Sequence, residues 1–98
     1  MIKNEDIKTF NNLVNQLNKL QNNLNSYNPK AKLCFYIGCD NNENDYCGLF
    51  LIDESNATSF KEEQWLEKVF IAGKKINHTE IYSRSDIERM IEKYEDKN

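Results

Sequence analysis

The chain has 98 residues, 39% of them hydrophobic and 30% charged, with a formal net charge of -3. That length bounds it to a single domain over residues 1–98, able to bury a modest core without disulfide or metal staples. No apolar run approaches the ~20 residues of a membrane span, and Met1-Ile2-Lys3-Asn4-Glu5-Asp6 lacks the basic start and apolar core of a signal peptide. A cytoplasmic protein without membrane contact is therefore expected.

Taken in order, Asn4 is a fair N-cap, and Glu5 and Asp6 follow where the helix dipole favours acids. Phe10, Leu13, Leu17, Leu20, Leu24 and Tyr27 then recur at spacings of three and four, with Ile7 and Val14 widening the stripe, until Asn28-Pro29 ends it. The opposite face is rich in Asn, a poor helix former, so packing rather than propensity must hold this helix. A helix laid on a sheet is the leading expectation. About three heptads also fit a short coiled-coil seam, so the chain is expected to be a monomer or a homodimer through the N-terminal helix.

Residues 33–39 and 46–52 are rich in aromatic and branched side chains, and the connector Asp40-Asn41-Asn42-Glu43-Asn44-Asp45 is wholly polar, which reads as a β-hairpin. Pairing Ile37 with Gly48 sets Phe35 opposite Phe50 and Leu33 opposite Ile52 on one face. Tyr36 then faces Leu49, and Cys34 faces Leu51, on the other. Both faces are apolar, so flanking helices must cover them. Ser59-Phe60-Lys61-Glu62 is a capping box that predicts a second helix. Trp65, Leu66, Val69 and Phe70 line it with Ala72 nearby, Trp65 is its core anchor, and Gly73-Lys74-Lys75 is its stop. Residues 76–82 read as a short edge strand added to the hairpin, with a loop as the alternative. Ser85-Asp86-Ile87-Glu88 caps a third helix with Ile87, Met90, Ile91 and Tyr94 on one face. The fold class is α+β, in the order α-β-β-α-(β)-α.

Few chemical motifs survive inspection. Asp40, Asn42 and Asn44 match the start of a calcium loop, but Asp45 stands where the turn glycine belongs and Leu51 where a bidentate Glu should close it. Cys34, Cys39, Cys47 and His78 contain no C-x-x-C pair, and no metal or cofactor is expected. The three cysteines read as free thiols in a reducing compartment. A Cys-His catalytic pair has no supporting spacing, and Gly38, Gly48 and Gly73 stand alone, so no glycine loop cradles a phosphate. Arg84 and Arg89 would grip a phosphate near the start of the third helix, or pair with Asp86, Glu88 and Glu92.

Charge is segregated. From Leu33 through Phe60 there is no Lys or Arg, yet the segment carries Asp40, Glu43, Asp45, Asp53 and Glu54. A negative hairpin tip disfavours nucleic acid and suits a basic partner. With Glu62 and Glu63 at the start of the second helix, these residues form the expected partner-binding set.

In its acidic hairpin, in Ser59 to Lys75 and in Arg84 to Asp96, the chain resembles the small anti-CRISPR inhibitors carried by phages. The likeness is to the class with an N-terminal helix, a short acidic antiparallel sheet and two C-terminal helices that blocks Cas9. It rests on size, element order and acidity over nearly the whole chain, and this chain is less acidic than the nucleic-acid mimics of that class. The resemblance implies an inhibitor acting in the host cytoplasm. The expected function is accordingly a non-enzymatic binding protein that occupies a basic or nucleic-acid-binding surface of a larger protein, such as a nucleic-acid-binding effector. The alternatives are a sponge or sensor for a small phosphorylated ligand such as a nucleotide, at Arg84 and Arg89, and an enzyme with a Cys nucleophile.

Overall fold

The computed structural model describes residues 1–57, 59–77 and 84–95. Helix α1 (Asn4–Tyr27) is followed by strands β1 (Ala31–Cys39) and β2 (Asp45–Asp53), a short 3-10 turn, helix α2 (Trp65–Val69), strand β3 (Phe70–Ile76) and helix α3 (Arg84–Glu95). The α+β class and the expected element order are both present. All three strands pair antiparallel in the order β1-β2-β3, which places β2 in the centre.

Helix α1 has the expected length and acidic first turn, but its N-cap is Lys3, whose carbonyl accepts from the Asp6 and Ile7 amides at 3.0 and 3.2 Å. Asn4 is helical. At the other end the Asn28 amide closes the helix on the Leu24 carbonyl at 2.7 Å, and the Asn28 side chain accepts from the Lys30 amide at 3.0 Å. This turn feeds the chain straight into β1. Two side chains of α1 then complete the outer edge of β1. Gln21 donates to the Ala31 carbonyl at 3.0 Å and accepts from the Leu33 amide at 2.8 Å, and Asn25 donates to the same carbonyl at 3.0 Å.

α1 therefore docks against the edge of the sheet through its C-terminal turns and is not laid across a face as the sequence suggested. Of its residues only Leu24 is buried. Among the described residues the buried apolar side chains are Leu24, Ala31, Ile52 and Val69.

The hairpin register is one residue away from the expected one. Tyr36 lies opposite Gly48, Gly38 opposite Tyr46, Phe35 opposite Leu49 and Ile37 opposite Cys47. Glycine decides it, because each Tyr ring folds over the bare backbone of the glycine across from it. A Cβ on Gly48 would lie 2.1 Å from a Tyr36 ring carbon, and one on Gly38 would lie 2.5 Å from the Tyr46 ring. The slip exchanges face partners and builds an aromatic ladder on one side. Tyr36 meets Tyr46 and Phe50 edge-on at 6.1 and 5.7 Å, and Phe50 stacks on Phe70 at 6.5 Å.

The second helix is much shorter than its capping box implied. The Ser59 hydroxyl accepts from the Lys61 amide at 3.1 Å, but this closes only a turn, and helix begins at Trp65 after Gln64 in the left-handed region (φ 60°). From Phe70 onward the chain extends, and Gly73, Lys74 and Lys75, expected to stop a helix, pair with Phe50, Leu49 and Gly48 instead. The open edge of β2 offers ladder bonds and the face of Phe50, which outweigh one more helical turn for the Val69-Phe70-Ile71 run. The third strand thus lies earlier than expected; of residues 76–82, Ile76 ends β3 and Asn77 is a turn, while the rest fall outside the described residues. Trp65 is half-buried and stacks on exposed Phe60 at 4.2 Å, so Val69 and not Trp65 anchors α2 in the core.

Candidate interaction surface

The acidic residues singled out from the sequence do not share one face. Asp40, Glu43 and Asp45 lie at the hairpin tip, Asp53 ends β2 at its other end, and Glu54, Glu62 and Glu63 follow it. The nine residues of β2 hold the two groups about 26 Å apart at a strand rise of ~3.3 Å per residue.

Several of these carboxylates are already engaged. Asp40 accepts from the Asn42 and Asn44 amides, both at 2.9 Å, and organises the turn in which Glu43 adopts a left-handed conformation (φ 63°). The Asn44 amide above all, then that of Asn42, the Asn44 side chain and the charge of Lys75, hold its carboxyl below the usual carboxylate range. The Asp53 carboxylate accepts from the Ser55 hydroxyl and, at 3.0 Å, from the Ser55 amide. These bonds, with the Asn28 side chain and Lys30, lower its pKa too. Glu54 pairs with Lys32 at 3.1 Å and Glu62 with Lys68 at 3.4 Å. The Glu43, Asp45 and Glu63 carboxylates enter no hydrogen bond or ion pair among the described residues. Asp40, bonded to neutral amides, keeps its charge, and Glu43 and Asp45 are the tip carboxylates with no side-chain partner among the described residues; the Lys75 ammonium is nearby, 4.2 Å above the Tyr46 ring.

The arginines of the phosphate reading point at their own helix. Arg84 Nε donates to Glu88 at 2.7 Å and Arg89 to Asp86 at 2.8 Å, as the i,i+4 and i,i+3 spacings allow. Cys34 falls on the face of Tyr36 and Phe50, whereas Cys39 and Cys47 fall on the opposite one. Among the described residues no three His, Cys, Asp or Glu side chains converge as a metal would need, and His78 lies outside them. No helix of the described residues is long and apolar enough to cross a membrane.

What the sequence did not single out is the sheet face opposite the aromatic ladder. Leu33, Phe35 and Ile37 of β1 lie beside Leu51, Leu49 and Cys47 of β2, and among the described residues nothing buries Phe35 or Ile37 at their centre. Phe35 is 62% exposed and Ile37 65%. Cys39 opposite Asp45 continues the same face to the tip, so an apolar patch runs directly into the Asp45 carboxylate. The only hint in the sequence is that both parities of residues 33–39 are apolar, which asks for two covers. The ladder side is also part-open: a groove of about 370 Å³ is lined by Tyr36, Phe50, Leu66, Phe70 and Gly73.

Compared with protein families, curated proteins and solved structures, the chain matches none.

Proposed function

We propose that this chain is a non-enzymatic binding protein that acts by occupying a basic surface of a larger protein. Phe35 and Ile37 are the centre of its contact face, and Glu43 and Asp45 are the charged rim. An apolar centre bounded by polar groups is the common anatomy of a protein interface. The single observation that carries the reading is the exposure of Phe35 and Ile37 on a regular strand whose face ends at the Asp45 carboxylate, with Glu43 in the adjoining turn. Relative to the expectation from sequence, the weight moves from an acidic hairpin as a whole to an apolar face with an acidic end. An inhibitor of the phage anti-CRISPR kind, directed at a nucleic-acid-binding effector, would need only such a surface, because it works by occupancy.

Affinity capture from host lysate with three baits tests this. Wild type should retain a basic protein. Phe35→Ser with Ile37→Thr should lose it while folding stability stays within about 0.5 kcal/mol, because both side chains are exposed in the free chain. Glu43→Gln with Asp45→Asn should retain it weakly and with reduced salt sensitivity. Equal capture by all three baits would rule out this face.

A further inference from the structure

We infer that α1 is a self-association helix, pairing antiparallel with α1 of a second copy about a twofold axis that passes between Leu13 and Val14. The stripe Ile7, Phe10, Leu13, Val14, Leu17 and Leu20 has spacings of three, three, one, three and three, which read identically from either end. A reversed copy therefore sets Ile7 against Leu20, Phe10 against Leu17 and Leu13 against Val14, each contact made twice, as a closed twofold interface requires.

Among the described residues this stripe stays largely uncovered. Ile7, Phe10, Leu13, Val14 and Leu20 are exposed and Leu17 is half-buried, although they share the helix face that brings Gln21 and Leu24 to β1. Toward the N-terminus the sheet no longer covers that face. The helix also lacks intrinsic support, since eight of its 24 residues are Asn. A helix of that composition is marginal in water unless its apolar side is packed.

Charge and area fit a second copy better than a foreign occupant. No charged residue stands between Lys8 and Lys19, and at helical spacing those two lysines fall on the side away from the stripe. A reversed copy thus brings no like charges together. Antiparallel alignment also sets the two helix dipoles head to tail. The chain leaves 8731 Å² accessible, whereas a folded monomer of 11.6 kDa exposes about 5,800 Å². The surplus, roughly 2,900 Å² per chain, is more than the roughly 1,000–2,500 Å² that each partner of an obligate homodimer buries, so a helix pair has area to spare. This pairing needs no larger partner protein, so it stands or falls apart from the binding face on the sheet.

Disulfide cross-linking of the full chain, with Cys34, Cys39 and Cys47 replaced by Ser, tests both association and direction. A mixture of Ile7→Cys and Leu20→Cys chains should form a mixed disulfide dimer under mild oxidation, and Ile7→Cys alone should not. Self-linking of Ile7→Cys, or no mixed product, would overturn the antiparallel pairing. Sedimentation equilibrium of the unmodified chain should show a dimer. Leu13→Asp should weaken it roughly 100-fold or more by burying an uncompensated carboxylate in each copy. A wild-type chain that remains monomeric, or a Leu13→Asp chain that dimerises equally well, would overturn the proposal even if the cysteine variants fold poorly.

Discussion

Gly48 shows how much a single position decides. Its missing Cβ is the space that the Tyr36 ring occupies, and the ring is held there by Tyr46 and Phe50 on either side. Gly48→Ala should cost about 1–3 kcal/mol, the usual range for overpacking, measured as a lower urea midpoint. In a Tyr36→Ala background the same change should cost much less, because the clash is gone; equal losses in both backgrounds would place the strain elsewhere. Asp40 has a different signature. Its carboxyl titrates below the ordinary value in the folded chain, so its stabilisation is complete above about pH 4 and is lost as the pH falls through the folded value. The stability gap between wild type and Asp40→Asn should therefore shrink on acidification through that range in chemical denaturation; a gap that widens would contradict the assignment. The sequence located both residues in a hairpin, but it counted Asp40 as free charge. Its amide partners two and four residues along are visible only once the turn is formed.

At the scale of elements, α1, the hairpin and α3 were legible because each has a long, uninterrupted period or a sharp contrast between apolar strand and polar turn. The segment after Ser59 was not. Its capping box and its Val69-Phe70-Ile71 run point to opposite states, and the arbiter is the unpaired edge of β2, which is not local information. The link between α1 and β1 was equally hidden. Gln21 lies in the helix stripe region yet serves the strand, bridging the Ala31 carbonyl and the Leu33 amide. Gln21→Ala leaves the Leu33 amide without this acceptor and should cost about 1–3 kcal/mol. Amide hydrogen exchange at Leu33 should accelerate in the variant. Unchanged exchange there would show that α1 is not what protects this edge.

For the whole molecule, the decisive feature is how little of the apolar surface the chain covers by itself. Its radius of gyration is 16.5 Å, where a compact domain of this length has about 13 Å. Among the described residues, large apolar side chains stay exposed on the α1 stripe, on the Phe35–Ile37 face, and on α3, where Ile87, Met90, Ile91 and Tyr94 line one side. The sequence announced apolar residues on both sides of the hairpin, and the inference that neighbouring helices would cover them failed because α1 docks on the edge and α2 is only five residues long. The charge argument also needed three dimensions, since seven acidic residues read as one group separate to the two ends of β2 and four of them are engaged locally.

The most direct test of the binding role is a hydrogen-exchange and NMR footprint of the chain alone and with the protein it captures. Phe35, Ile37 and Asp45 should become protected or shift in the complex, while Arg84 to Tyr94 stay unchanged. A footprint confined to α3, or to the groove of Tyr36, Leu66 and Phe70, would contradict the assignment of the contact face.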